Sequence, residues 1–462
     1  MTAAPAPAAY LLERAWVDGA VHDDVLVEID GGRFTRVEPV RRSMDLSGVA
    51  TPDKSRDTQS TGYPTAPPHA LPGLTLPGLA NGHSHAFHRA LRGRTQREGG
   101  SFWTWRDQMY AVAGDDSRLD PDSYLPLARA VYREMAAAGV TTVGEFHYLH
   151  HAAGGIRYAD PNAMGLALIE AARQAGIRIA LLDACYLSAG FGKEPAGAQV
   201  RFSDGDAEAW AARVAELRPD AHAVVGAAIH SVRAVPEKQL PTVVAAAAGR
   251  LLHVHLSEQR QENADCRAAY GLTPTALLDD HGALGPLTTA VHATHLTDGD
   301  IDRLGRTRSY VCFCPTTERD LGDGIGPSRR LRAAGARLTL GSDSHAVIDL
   351  FEEMRAVELD ERLASQHRGH WHAAELLDAA TRHASLGFPD AGKIAVGARA
   401  DLVTLDLASP RTAGTGADEQ TAVFAASAAD VVQTVVEGRV VFRRGDETEI
   451  GHELERTIGR IW

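Results

Sequence analysis

The sequence predicts an α/β fold, a (β/α)8 barrel carrying a small β-sandwich built from both ends of the chain. Three observations predict it. Between about residues 74 and 387, eight short apolar runs alternate with Ala-rich segments of helical apolar spacing. The runs are apolar on both faces, which suits buried parallel strands. Nearly every run ends in polar residues able to do chemistry, and barrel enzymes place their sites at the C-terminal ends of strands.

The elements follow in order. Residues 8–40 alternate apolar and polar residues around the turn signals Asp18-Gly19 and Asp30-Gly31-Gly32, and read as short antiparallel strands. Residues 41–72 are rich in Ser, Thr, Pro and Asp, and read as a mobile surface excursion. The barrel runs are residues 75–85, 140–149, 178–187, 223–232, 251–258, 288–296, 309–317 and 337–345. Between them lie stretches such as SYLPLARAVYREMAAAG and DAEAWAARVAEL, whose apolar residues recur at helical spacing. After about residue 388, segments 392–407 and 431–445 read as antiparallel β that completes a small sheet with residues 8–40. The expected domains are 1–73 with 388–462, and a catalytic barrel over 74–387.

Bulk properties narrow the function. The chain has 462 residues, of which 44% are hydrophobic, enough for one large core and a small one. The net charge of -13 argues against broad nucleic-acid binding, which needs a basic surface. It leaves room for a small anionic substrate, because a local arginine decides that. Four cysteines do not make a disulfide scaffold. Cys312 and Cys314 flank Phe313 in an apolar run and read as strand residues rather than a metal clamp. The first twenty residues have no basic region and no long apolar core, so no signal peptide is expected. No run approaches 18 apolar residues, so no membrane span is expected either. A soluble, cytoplasmic protein is the expectation.

The run ends carry the chemistry. His83 and His85 close the first run, and residues two apart in a strand point to the same side. Two neutral imidazoles at fixed separation are half of a zinc site, and a catalytic zinc keeps one position open for water. Other ends offer Glu145, His147 and Tyr148; His230; His255 and Glu258; His292 and His295; and Asp343 with His345. One terminal histidine is usually packed or solvated, but six such ends are hard to obtain by chance. Spacing alone does not separate His253 from His255, which share one side of their strand.

Taken together, HSH at 83–85, HVHLSE at 253–258, VHATH at 291–295, GSDSH at 341–345 and the closing GKIAVGARADLV resemble the amidohydrolase superfamily over nearly the whole chain. The resemblance implies a distorted (β/α)8 barrel and a metal held by His83, His85, His255 and Asp343. Three imidazoles and a carboxylate suit zinc. Members with two metals bridge them by a lysine at the end of the fourth strand. The run AVVGAAIHSVRAV has none, so one divalent ion is expected. The pattern His, two residues, Glu selects His255 with Glu258 and leaves His253 packed lower in the barrel. By the same analogy Glu258 is the proton shuttle of a deaminase, His292 and Asp343 assist it, and His295 is structural. His345 either orients its loop or contacts substrate.

More closely, HSHAFHRALRGR, SFWTWRDQMY, GEFHYLHH and HSVRAV resemble the formimidoylglutamate deiminase family of histidine degradation. That family's substrate carries two carboxylates, so its site needs cations. Arg233 is the candidate clamp, because arginine recognises a carboxylate through two parallel hydrogen bonds. Tyr148, His230 and His88 are the other candidate substrate contacts. His88 stands where the resembled family has glutamine. Arg89, Arg92 and Arg94 form a basic stretch from which one residue could reach a substrate carboxylate. A homodimer is a family expectation. Two alternatives stand beside this reading. One is a deaminase for guanine or a related aminated heterocycle, which Trp103 and Trp105 would suit by stacking. The other is a non-catalytic metal-binding barrel, against which the presence of Glu258 with all four ligands argues.

Overall fold

The structure is a computed structural model describing residues 8–40, 42–44, 50–52, 67–96, 99–114 and 118–462. Eight parallel strands form the barrel: β1 (Leu79–Ser84), β2 (Val140–His147), β3 (Arg178–Cys185), β4 (Ala223–Ile229), β5 (Leu252–Leu256), β6 (Thr288–His292), β7 (Tyr310–Phe313) and β8 (Arg337–Leu340). Each pairs with the next in sequence order. Their residues are almost all buried, as strands covered by helices on the outside and filled within must be. Every one of the eight apolar runs contains one of these strands.

The barrel closes between β8 and β1 near its C-terminal rim. Ser84 bridges Asp343, and the amides of Ser342 and Asp343 both donate to the His83 carbonyl, at 3.1 and 3.0 Å. Two glycines permit the approach. A Cβ on Gly341 would lie 2.8 Å from the His83 backbone nitrogen, and one on Gly82 would lie 2.9 Å from the Leu340 carbonyl oxygen. Any side chain at either position would push the seam apart.

The terminal segments form one seven-stranded sheet. Its spatial order is Arg439–Arg443, Val431–Val436, Leu402–Leu405, His69–Pro77, Ala8–Val17, Ala20–Asp30 and Arg33–Pro39. A purely antiparallel arrangement is expected from the sequence. The sheet instead contains one parallel pairing, between Ala8–Val17 and His69–Pro77. It has its own apolar core around Leu12, Val27, Phe34, Leu402 and Val435. The first apolar run is divided between the two sheets: Leu74–Pro77 pairs with Leu402–Leu405, and the barrel starts at Leu79. A boundary drawn at residue 73 therefore falls inside a strand. Of the expected excursion at 41–72, residues 42–44 and 50–52 pair as a two-stranded ribbon and His69 onward is sheet. Its remainder up to 66 lies outside the described residues.

The last helix, Glu447–Ile461, leaves the small sheet and lies on the barrel helix Pro121–Ala137. Glu453 accepts from Arg129 Nε at 2.7 Å and from Arg133 at 2.6 Å, and Trp462 donates its indole N–H to the Ala90 carbonyl. No helix among the described residues is long and apolar enough to cross a membrane.

One buried ion pair ties barrel to sheet. Arg178, opening β3, is doubly hydrogen-bonded to Asp401, which precedes the strand Leu402–Leu405; both side chains are 1% exposed. Arg178 also donates to Thr142 on β2, and Asp401 accepts the amide of Glu437. Removing one partner strands the other's charge without solvent. Asp401→Ala should therefore lower unfolding stability by about 3–5 kcal/mol, measured by urea denaturation. A loss under about 1 kcal/mol would show that the pair does not couple the two sheets.

Candidate active site

The strand ends of β1, β5 and β8 bring four ligand atoms together. His83 Nε2 lies 3.3 Å from Asp343 Oδ1 and 3.0 Å from His255 Nε2, and His85 Nε2 lies 3.3 Å from the same Asp343 oxygen. One atom from each of the four falls within 4.8 Å of all the others, and all four side chains are buried. Donors held 2.0–2.1 Å from a tetrahedral zinc stand roughly 3.3 Å apart, so the donor set and its spacing fit such an ion.

Local chemistry prepares these groups as ligands. His85 Nδ1–H donates to the Phe146 carbonyl at 2.8 Å, which fixes the tautomer and turns the Nε2 lone pair toward Asp343. Burial lowers the His83 pKa to about 4 and holds His255 well below the ordinary imidazole value, so both rings are neutral. Burial works against the Asp343 carboxylate, but the close imidazoles of His83 and His85 outweigh it and hold its pKa well below normal. Beneath the His-x-His segment, Glu145 accepts from Ser84 Oγ (2.9 Å) and the Ala86 amide (2.6 Å). Burial pushes Glu145 up to about 7. Non-glycine residues in the left-handed region cluster at these ends: Ser257, His292, Ala293, Asp343 and His345. Such conformations cost roughly 1–3 kcal/mol each and persist where surrounding structure imposes them.

Beside the four ligands stands an acid–base group. His292 Nε2 is 3.7 Å from Glu258 and 3.7 Å from Asp343, and its Nδ1 is 3.3 Å from Glu318. Burial disfavours the imidazolium, but Glu258, Glu318 and Asp343 together hold the His292 pKa well above its ordinary value. Burial also raises Glu258, against the opposing charges of His292 and Arg233.

A pocket opens above this floor. His85, His255, Asp343, Glu258 and His292 line its base, and Tyr148, His230, His88, Arg233, Trp105 and Arg106 its walls. The His88 and Tyr148 side chains hydrogen-bond at 2.9 Å, and the Tyr148 ring packs edge-on against His230 at 5.2 Å. Arg233 lies 3.8 Å from Glu258 and 3.8 Å from Glu262, too far for a hydrogen bond to either. The fold thus brings the four candidate ligands, Glu258 and His292, and the candidate contacts Arg233, Tyr148, His230 and His88 together at one rim.

Other candidates separate. His253 is buried on the same strand as His255 but is in neither the four-residue cluster nor the pocket wall. His295 is likewise outside both, and its amide donates to the Ser257 carbonyl. His345 Nε2 contacts Ser84 Oγ at 2.9 Å and so braces the end of β1. Arg89 and Arg92 both donate to Glu134, and Arg94 stacks on Trp462, so none of the three serves the pocket. Trp103 stacks under Arg106 at 4.8 Å, while Trp105 lines the pocket itself.

Sequence reasoning missed Arg106, Glu318 and Asp323. Arg106 sits in the quoted SFWTWRDQMY segment, where the tryptophans drew attention and the arginine did not. Glu318 follows directly on the seventh run, and an unassigned strand end was the available signal. Asp323 lies in a loop of no distinctive pattern.

The description of the amidohydrolase family matches residues 74–441 of the chain. The chain is 39% identical over 394 residues to a formimidoylglutamate deiminase of Pseudomonas aeruginosa, covering 81% of this chain and 86% of that protein. It is 28% identical over 427 residues to a 5-methylthioadenosine/S-adenosylhomocysteine deaminase of Haloarcula marismortui, covering 91% and 88%. Among solved structures, an amidohydrolase from Brucella melitensis superposes with a TM-score of 0.84 at 29% identity, covering 98% of this chain and 99% of that one.

The two histidines of β5 offer a direct test of the ligand set. Metal analysis of the purified protein should show that His85→Ala and His255→Ala lose most of the bound divalent ion. His253→Ala should keep it. Full retention in His85→Ala, or equal loss from His253→Ala, would refute the cluster as the metal site.

Proposed function

The chain belongs to the amidohydrolase family and is a hydrolase acting on C–N bonds; on that premise we propose that it converts N-formimidoyl-L-glutamate and water to N-formyl-L-glutamate and ammonia in histidine degradation. The observation that carries the substrate is a pair of arginines, Arg106 and Arg233, in one pocket wall above Glu258 and His292. A substrate with two carboxylates needs such cations. The Nε of each arginine has no hydrogen-bond partner among the described residues, so both guanidiniums have donors to give. Tyr148, His230 and His88 add neutral hydrogen-bonding groups beside them.

One zinc ion held by His83, His85, His255 and Asp343 would supply a Lewis acid that acidifies water at neutral pH. Glu258 takes a proton from the attacking water as its oxygen bonds to the formimidoyl carbon. The amidine enters as its cation, so the π electrons of the C=N bond neutralise its NH2+ group and leave a tetrahedral carbon bearing one hydroxyl, the substituted nitrogen and an NH2 group. Glu258 then returns the proton to the terminal nitrogen, the C–N bond breaks, and ammonia leaves as the C=O bond forms. Its raised pKa suits both halves of this transfer, because a general acid–base group works best near the operating pH. The hydroxyl proton leaves toward Asp343. His292, held cationic by three carboxylates, stabilises the negative charge that develops on oxygen. Glu318 keeps His292 in that state and orientation through its 3.3 Å contact with Nδ1.

Deamination of an aminated heterocycle is the competing reading, favoured by the aromatic wall of Phe102, Trp105 and Tyr186 and by the purine-type relative. Ammonia release with formimidoylglutamate, guanine and adenosine offered in parallel separates the two. Formimidoylglutamate alone should be turned over efficiently. Efficient release from guanine would overturn the substrate assignment.

Three variants test the residues. Glu258→Gln should keep its metal and lose turnover by about 100-fold or more, the usual scale for a general acid–base group. Near-normal turnover would remove Glu258 from the reaction. Arg233→Met should lower kcat/KM for formimidoylglutamate by roughly 10- to 150-fold, the value of one charged hydrogen bond. Arg233→Lys should lose less, because it keeps the charge without the planar fork. Metal content should be unchanged in all three, and a silent Arg233→Met would exclude the clamp.

A further inference from the structure

Asp323 is placed where no part of the reaction above uses it. It lies between Gly322 (φ 71) and Gly324 (φ 118), both in the left-handed region that glycine occupies freely. Its amide donates to the Glu318 carbonyl at 2.9 Å, so the loop is fixed to the helix that carries the His292 partner. The Gln259 side-chain amide donates to Asp323 Oδ1. The other oxygen, Oδ2, has no hydrogen-bond partner among the described residues, although the side chain is only 4% exposed. An oxygen of Asp323, an oxygen of Glu258 and a nitrogen of His292 all lie within 4.8 Å of one another.

Two desolvated carboxylates this close repel each other unless a cation joins them. Burial, with the charge of Glu258 next, pushes Asp323 up to about 9. His292 does not answer the need alone, since it already faces Glu318 and Asp343.

We propose that Asp323 is a substrate-binding residue that, with Glu258, accepts the two N–H bonds of the terminal nitrogen of a cationic amidine. An amidine is protonated in neutral water, and its terminal NH2 is planar, with its two hydrogens about 120° apart. Acceptors about 2.9 Å from that nitrogen along the two N–H directions stand roughly 5 Å from each other. An oxygen of Asp323 and one of Glu258 lie within 4.8 Å of each other, a span that two slightly bent N–H···O bonds from one nitrogen can bridge. A neutral amide or an aminated heterocycle presents the same two hydrogens without the charge, so Asp323 must keep a proton where an amidinium would displace it. The pair therefore selects amidinium over neutral C–NH2 groups at the reacting end, independently of the arginines that select carboxylates at the other. The proposal rests on the amidine substrate argued above and adds the group that recognises its charge.

The probes are formamidinium and formamide, which share size and shape and lack the carboxylate tail. Titration calorimetry on the metal-loaded full chain should show formamidinium binding at least about tenfold more tightly than formamide, the scale of a charged against a neutral hydrogen bond. Asp323→Asn should reduce that preference about tenfold or more with metal content unchanged. Asp323→Ser is a second neutral replacement should the first fail to fold. A wild type without preference, a folded neutral variant that keeps it, or equal weakening of both ligands would overturn the proposal. Turnover of formimidoylglutamate by the wild type reads the parent assignment separately. Preference without that turnover would leave an amidine site with another substrate. Turnover without preference would leave the deiminase and remove Asp323.

Discussion

The closure of β8 onto β1 is the constraint on which the site depends. Asp343 reaches His83 and His85 because the Asp343 amide and the His83 carbonyl are hydrogen-bonded across the seam, at 3.0 Å. Gly82 and Gly341 allow that approach. If the seam opened by the width of a methyl group, the carboxylate would leave both imidazoles, and the remaining histidines could not make a four-donor site. The reverse dependence also holds. Three imidazole nitrogens and a carboxylate packed at 3.0–3.3 Å repel one another in part, and the backbone pairing of the seam holds them there. The apolar strands beneath supply that rigidity, since burial of their side chains on both faces leaves little room to yield.

Around the seam, charge is balanced in layers. At the floor, burial keeps His83 and His255 neutral, while the contacts of His83 and His85 keep Asp343 ionised. One step outward the order inverts, and three carboxylates hold His292 cationic. Further out, Arg106 and Arg233 bring positive charge to the pocket wall. The floor residues are buried, so each charge is felt strongly by its neighbours. A ligand that is cationic at one end and doubly anionic at the other matches this sequence of charges in a single orientation. That polarity ties the floor chemistry to the substrate reading, because neither a neutral ring nor a simple dicarboxylate complements both layers.

Much of this was legible in the sequence, and the limits are physical. The barrel strands are visible because parallel strands are apolar throughout and end in polar residues, a pattern that survives without coordinates. His83 and His85 could be paired because strand periodicity puts them on one face, whereas His255 and Asp343 came from the resemblance, since spacing does not separate His253 from His255. The terminal sheet was read less fully. The parallel pairing of Ala8–Val17 with His69–Pro77 depends on which edge a distant strand joins, and alternation within one strand carries no information about that. Likewise, Leu74–Pro77 looks continuous with the barrel run because both sheets bury it. Glu318 and Asp323 stayed hidden for a further reason. A buried carboxylate and a solvated one look alike in sequence, and only the fold shows that burial has made them costly and therefore purposeful. Arg106 was obscured by its tryptophan neighbours, although a substrate with two carboxylates already called for a second cation.

His88 shows how the same reasoning handles a departure from the resembled family, where glutamine is expected. A histidine in the pocket wall would ordinarily add a titrating charge near neutral pH. Here burial, reinforced by the neighbouring His85, holds its pKa well below the ordinary value. His88 is therefore an uncharged group with one donor and one acceptor, as far as hydrogen bonding is concerned a shorter version of the amide it replaces. Its Nε2 engages Tyr148, and its ring packs against Trp105, which an amide could not do as fully. The exchange keeps the charge sequence of the pocket intact while stiffening the wall that holds Tyr148. At the floor, where a bound metal would read each donor atom directly, residue type itself is what would have to be kept.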